Sequence, residues 1–379
     1  MTAMMVDSFR FGGGPSYTLE LPLLNPGGET GDTTGWTVVL GTSFRVETNG
    51  LSSTPEIQSS QRNPYAGTWC LAHTATTGIN APGIVNQDVA LDGLSASRLA
   101  DIDAGKVTAR VEGFLLTDAG GTDRGCTELH FYSSGGVWLG GCLFDTMNRD
   151  NAWGAFANGP IEVPANTRTV RLQIRGITSG GDNRAHVYWD EFKVKLVSWG
   201  GSKRHETFLN LIGDNVTGWV NVARTLQVVT KTTSQSAWGF GSYLGWPSGA
   251  ANAEATYTQN LPAGWKAAID AAAVTLNLRY RHNDHSGSGG TGNSRGRMGL
   301  EFWSAVNAGG SQLGPTLYSD PANVQLPRFA AGNRLMQQAV PAGARSIRIR
   351  HIGERMDGIT SSAFNHVKNL IWASLLRDQ

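Results

Sequence analysis

The chain contains two copies of one pattern, and that duplication limits its possible folds more than any other feature. Gly35-Trp36 recurs as Gly218-Trp219. Ile102-Asp103-Ala104-Gly105-Lys106-Val107-Thr108 recurs without a gap as Ile269-Asp270-Ala271-Ala272-Ala273-Val274-Thr275, and Val163-Pro164-Ala165 recurs as Val340-Pro341-Ala342. The offsets are 183, 167 and 177 residues, and pairing Gln87 with Gln259 gives 172. Matches that keep their order while the offset drifts so little come from two related domains whose loops differ in length. The expected division is an N-terminal arm over 1–20, a first domain over 21–198, a linker over 199–206 and a second domain over 207–379.

Within each copy the legible segments alternate apolar and polar residues. Val170, Leu172 and Ile174 alternate with Arg171, Gln173 and Arg175, and Ile347 and Ile349 alternate with Arg348 and Arg350. A period of two marks a half-buried strand, with the arginines on its solvated face. Stretches 107–114, 128–132, 187–197, 274–280 and 300–303 read the same way, with Gly, Pro and Asn clusters between them. A short helix fits only 262–273, where Trp265, Ala268 and Ile269 share a face. The expected fold is all-β: two tandem jelly-roll β-sandwich domains with an extended N-terminal arm.

Composition narrows the function. A net charge of +1 gives no general attraction to nucleic acid or to an acidic membrane. No stretch of about 18 apolar residues exists, so no helix is expected to insert in a membrane. Three cysteines, at 70, 126 and 142, are too few and too scattered for a disulfide scaffold, and buried thiols are expected. The 49 glycines lack a three-residue period and fit turns between strands.

The string from Asn25 to Thr37, Asn-Pro-Gly-Gly-Glu-Thr-Gly-Asp-Thr-Thr-Gly-Trp-Thr, resembles the opening of jelly-roll carbohydrate-binding modules of the galactose-binding-domain-like superfamily. Gly67-Thr68-Trp69-Cys70-Leu71, Asn86-Gln87-Asp88-Val89 and Val187-Tyr188-Trp189-Asp190-Glu191-Phe192-Lys193-Val194 are similar to later strands of those modules, so the resemblance spans about residues 21–197. It implies that Glu29 and Asp190 ligate one structural calcium in the first domain, backbone carbonyls completing the oxygen shell. Their other reading is a pair of exposed carboxylates at strand ends. In the second domain Asp214 stands near the place of Glu29, and sequence alignment sets Lys368 opposite Asp190, so no second calcium is expected.

Flat aromatic rings stack on sugars, and Trp138 and Trp153, beside Gly-rich turns, are the candidate carbohydrate-binding residues. Trp69, Trp238 and Trp303 are further platforms, while Trp36, Trp189 and Trp219 read as core. Catalytic signatures are weak. Gly287-Ser-Gly-Gly-Thr-Gly292 lacks the strand-to-helix setting of a phosphate loop, and His282-Asn-Asp-His285 reads as a loop tip rather than a zinc site. Glu112, Glu128, Glu162 and Glu191 read as ordinary strand or turn carboxylates.

The tandem arrangement resembles accessory proteins of tailed bacteriophages, those that decorate heads or serve as spikes or tail adhesins. That resemblance implies a non-enzymatic virion protein, made in the host cytoplasm without a signal peptide. Its expected partners are other virion proteins and cell-surface polysaccharide, in an assembly of many copies. A stand-alone carbohydrate-binding protein and a glycan-active enzyme remain as alternatives.

Overall fold

The computed structural model describes residues 16–378 apart from 41–43, 49–63, 75–81, 118–123, 148–152, 178–184, 199–202, 213–215, 224–226, 231–241, 246–251, 286–293, 320–331 and 356–364. The first domain is a sandwich of two antiparallel sheets. One runs β3 (Phe44–Thr48), β4 (Trp69–Thr74), β11 (Ala185–Ser198), β6 (Val107–Thr117) and β9 (Gly154–Glu162), with β1 (Tyr17–Glu20) also paired to β11. The other runs β2 (Thr37–Leu40), β5 (Pro82–Ala90), β10 (Thr169–Ile177), β7 (Arg124–Tyr132) and β8 (Trp138–Met147). We call them the six-stranded and the five-stranded sheet.

The second domain repeats both. Its six-stranded sheet runs β14 (Gln227–Thr230), β15 (Ser242–Gly245), β22 (Asn365–Asp378), β17 (Thr275–His285) and β20 (Gly332–Ala339), with β12 (Lys203–Ile212) paired to β22. Its five-stranded sheet runs β13 (Trp219–Ala223), β16 (Asn252–Asn260), β21 (Ser346–Arg355), β18 (Ser294–Trp303) and β19 (Leu317–Tyr318). The protein is therefore all-β, with two tandem jelly-roll sandwiches of the same strand order.

Matched hydrogen bonds confirm the duplication atom by atom. Val163 N–H donates to Val107 O as Val340 N–H does to Val274 O, and Arg168 N–H donates to Tyr132 O as Arg345 N–H does to Trp303 O. The guanidinium of Arg168 grips Asp103 at 2.7 Å, and that of Arg345 grips Asp270 at 2.8 Å. These hydrogen bonds hold both carboxyls below the usual carboxylate range. Each Asp ends a short helix, α1 (Ala96–Asp103) or α2 (Lys266–Asp270), the latter extending a 3-10 turn over Ala263–Trp265. The helix expected over 262–273 is thus present, with Trp265, Ala268 and Ile269 buried. Its partner α1 escaped the sequence reading because only Ile102 of its eight residues is buried, so it shows little apolar periodicity.

Several boundaries move. Tyr17–Glu20, expected in an unpaired arm, is a strand with Tyr17 opposite Ser198, and it corresponds to β12 in the second copy. Residues 1–15 lie outside the described set. Lys203 to Glu206, assigned to the linker, already belong to β12. Gln87 does not correspond to Gln259. Gln87 faces Leu172 and Tyr257 faces Ile349, so Tyr257 takes its position at an offset of 170. Residues 282–285 continue β17 rather than forming a loop tip. The Gly287–Gly292 run, Trp238 and Asp214 lie outside the described residues.

Each sandwich encloses its own core, built from the inward residues of the alternating strands. Burying each large apolar side chain contributes about 1.5–3 kcal/mol. One side chain crosses between domains. Trp372, on the outer face of β22, is 1% exposed and joins the first domain's core, edge-on to Phe131. Its ring also packs over Gly140 of β8, where a side chain would meet it. Around it His205 N–H donates to Gly105 O, the His205 ring bonds Val107 O at 2.7 Å, and Glu162 accepts from Asn277 Nδ2 at 2.6 Å and faces Arg279.

Candidate functional site

The Gly-Trp turn shows why its residues are spaced as they are. Asn25, at φ 49°, accepts Thr30 N–H through Oδ1, donates through Nδ2 to Asp32 O, and takes the indole N–H of Trp36 on its carbonyl. Gly35, at φ 87°, lies so close to Leu24 and Gln87 that a Cβ would collide with Leu24 Cβ. Gln87 closes the turn by donating to Leu24 O and Gly35 O and accepting Leu24 N–H. The turn is thereby pinned to β5, with Glu29 at its exposed tip.

Glu29 and Asp190 are brought together on the segment that leads into β4. Ala66 N–H donates to Asp190 Oδ2 at 3.0 Å, and Thr68 and Trp69 N–H donate to the two oxygens of Glu29 at 3.1 and 3.4 Å. Asp190 Oδ1 also accepts Glu191 N–H, Glu191 sitting at φ 52° where β11 bulges. Gly67 lies under Glu29 and Gly27 under Asp190, and a Cβ at either would run into the carboxylate. Asp190 is buried, and burial first, then the charges of Glu191 and Glu29, push its carboxyl up to about 6. Two hard oxygen donors stand over the glycines Gly27 and Gly67, and the charge of Glu29 helps to hold the Asp190 carboxyl up. That donor set fits a calcium ion, whose shell carbonyls of the same turns would complete. Among the described residues no cluster of three or more His, Cys, Asp or Glu side chains occurs, so carboxylates alone do not fill a shell.

In the second copy the register corrects the expected counterpart. Trp189 faces Leu115 as Lys368 faces His282, and the shared offsets of 179 and 167 put Asn369 at the position of Asp190. Lys368 stands one residue earlier.

Trp138 and Trp153 lie on opposite sides of the sandwich and build separate surfaces. Trp153 packs on the outer face of the six-stranded sheet, over Cys70, Ala72, Leu116 and Tyr188, and edge-on to Tyr65, which stacks on Phe114. Trp138 stands on the outer face of the five-stranded sheet, opposite Tyr132 on β7. Its indole N–H donates to His130 Nδ1 at 3.2 Å, and His130 Nε2 meets Glu128 Oε2 at 3.0 Å. With Nδ1 accepting, Nε2 carries the proton toward the carboxylate. Glu128 also accepts from Gln173 Nε2 at 2.8 Å and Arg175 at 2.5 Å. Beside this row Arg171 grips Asp88 with two hydrogen bonds and lies 4.8 Å over the Tyr132 ring.

Glu128 therefore is no ordinary strand carboxylate. Glu128 and Arg175 are both 0% exposed, so Arg175 does not belong to the expected solvated stripe. The alternation placed Glu128, His130, Gln173 and Arg175 correctly on the outward face. What it cannot reveal is that these four side chains are buried. The second domain keeps the edge of the arrangement and loses its centre. Arg348 lies 4.5 Å over Trp303 as Arg171 does over Tyr132, whereas Glu301 takes the place of His130 and accepts Arg350 and Thr316.

No family model matches the chain, and no curated protein matches it. Among solved structures, it is similar to the N-terminal CBM22-1-CBM22-2 tandem domain of Xyn10C from Paenibacillus barcinonensis, at 14% identity and TM-score 0.31 over 97% of this chain and 99% of that one. It is also similar to TmCBM61, solved with β-1,4-galactotriose, at 16% identity and TM-score 0.31 over 46% of this chain and 97% of that one. A third is the enzymatically active domain of tailspike protein 4 from bacteriophage CBA120, at 10% identity and TM-score 0.32 over 46% of this chain and 21% of that one. At such scores the fold stands on its own strand order.

Proposed function

We propose that the protein is a non-enzymatic carbohydrate-binding protein whose ligand lies on the outer face of the first domain's five-stranded sheet. One observation carries this: the partly exposed rings of Trp138 and Tyr132, with the exposed Arg171–Asp88 pair beside them, stand on a buried row of fixed hydrogen-bonding groups, Glu128, His130, Gln173 and Arg175. A sugar presents apolar C–H faces and a rim of hydroxyls. Trp138 and Tyr132 take the faces and Arg171 and Asp88 the rim, while the buried row beneath holds the Trp138 indole in place. Side chains already fixed by their neighbours lose little entropy when a ligand arrives.

The test is binding to an array of plant and bacterial polysaccharides. Trp138→Ala should lose at least about tenfold in affinity, the loss of one good stacking contact and its hydrogen bond. Trp153→Ala should bind like the parent. Equal binding by Trp138→Ala and the parent, or an array with no signal, overturns the reading.

A structural calcium at Glu29 and Asp190 is part of the same proposal, supported by the glycine-cleared pair of carboxylates. The virion setting, with other virion proteins as partners, is proposed on the sequence resemblance alone. Mass spectrometry of purified phage particles checks it: presence in stoichiometric amount supports it, and absence from particles of a phage that encodes the chain rejects it.

A further inference from the structure

The binding face of the first domain does not end at its own edge. β8, which carries Trp138, is the last strand of the five-stranded sheet, and β20 of the second domain lies against it. β20 is itself the last strand of its sheet among the described residues. Along it, Leu335 faces Arg279 and Gln337 faces Asn277 in register, which sets both on the face turned toward the first domain, where Asn277 and Arg279 reach Glu162.

Most of that face is covered. Trp372 and the Glu162 contacts bury its centre, yet Leu335 remains 44% exposed and Gln337 is only half-buried. An apolar side chain left in water beside a buried interface is an incomplete contact. On the first domain's side, the β8 residue opposite His130 is Gly141, where a Cβ would strike the His130 ring. The His130 ring therefore lies over Gly141, in the place a β8 side chain would take.

We infer that the second domain supplies an outlying subsite to the first domain's carbohydrate site, formed by Leu335 and Gln337 on β20. A linear oligosaccharide stacked on Trp138 would run across β8, over the His130 ring that covers Gly141, and lay its next residues against Leu335, with the Gln337 amide available to hydroxyls. The inference rests on the proposed carbohydrate reading and adds to it a ligand length: the site prefers a chain of several sugars over a disaccharide. The fixed junction makes this workable, because the domains already hold the subsite in place and binding need not order it.

The experiment is calorimetric titration of the full chain with a ladder of two to six residues cut from the polysaccharide that gives the strongest array signal. The parent should tighten at least about tenfold from disaccharide to hexasaccharide, an increment of about 1.4 kcal/mol. The Leu335→Asp, Gln337→Ala double variant should bind the disaccharide within about twofold of the parent and lose most of the gain with length. Both positions are surface-accessible, and an unchanged melting temperature verifies that the variant is folded. A double variant that follows the parent along the whole ladder overturns the subsite while leaving the Trp138 reading intact. Parent affinity that is flat with length does the same, and loss of all binding restricted to Trp138→Ala confirms that the two parts are separable.

Discussion

Asp190 concentrates the tension of the first domain in one side chain. Its carboxyl is raised to about 6 by burial and by the neighbouring charges of Glu191 and Glu29. A folded-state value above the unfolded one means that the native protein holds this proton more tightly. Stability contributed by the protonated form is therefore full below about pH 4 and is lost as pH rises through 6. A bound divalent cation reverses the sign, since it favours the ionised pair. Calcium should therefore raise the melting temperature of the parent by several degrees at pH 7.5 and by much less at pH 5, and Asp190→Ala should respond at neither. Differential scanning calorimetry with calcium and with chelator reads this directly. Equal calcium effects at both pH values, or an undiminished effect in Asp190→Ala, contradicts the site. In the second domain Asn369 occupies the matching position, so no second transition should respond to calcium.

At the scale of the element, alternation located most strands because the inward half of each meets a core that demands apolar residues. β6 and β10 show it in full, with Val107, Ala109 and Val111, then Val170, Leu172 and Ile174, all buried. The duplication was legible for the same reason, since paired turns and helix ends keep their residues where a hydrogen bond requires them, as Asp103 with Arg168 and Asp270 with Arg345 do. Edges and bulges were not legible. Both copies bulge at the same place and keep an offset of 179 on either side of it, so the strand pairing, and no local string, sets Asn369 rather than Lys368 at the position of Asp190. The carboxylate pair was readable through the resemblance, since its residues sit inside recognisable strings. The Glu128 network was not, because nothing local distinguishes a sheltered outward face from a wet one. The two candidate tryptophans illustrate the limit: both flank turns, yet one faces each side of the sandwich.

The molecule as a whole is a welded pair rather than beads on a string. Trp372 leaves its own domain and completes the core of the other, and Lys193 stands in the corresponding register position of β11, so the first domain offers no such anchor from its own outer face. Burial holds His205 toward its neutral form at this junction, where its ring bonds Val107 O. Truncating a buried Trp costs about 3–5 kcal/mol. Trp372→Ala should remove about that much from the first domain, although the residue belongs to the second, and should split a single calorimetric transition into two. One transition at an unchanged temperature would show that the domains are not coupled through this side chain. The weld matters for the proposed function because it fixes β20 against β8, beside the proposed carbohydrate face.

The carbohydrate claim itself rests on the indole of Trp138, whose N–H is tied to the His130, Glu128 and Arg175 row. The most direct measurement is titration of the 15N-labelled protein with an array-selected oligosaccharide while following tryptophan indole N–H resonances, each assigned by substitution. The Trp138 resonance should shift and saturate with ligand, and that of Trp153, on the opposite side of the sandwich, should stay fixed. A saturating shift at Trp153 with none at Trp138 would place the ligand on the other sheet and contradict the account.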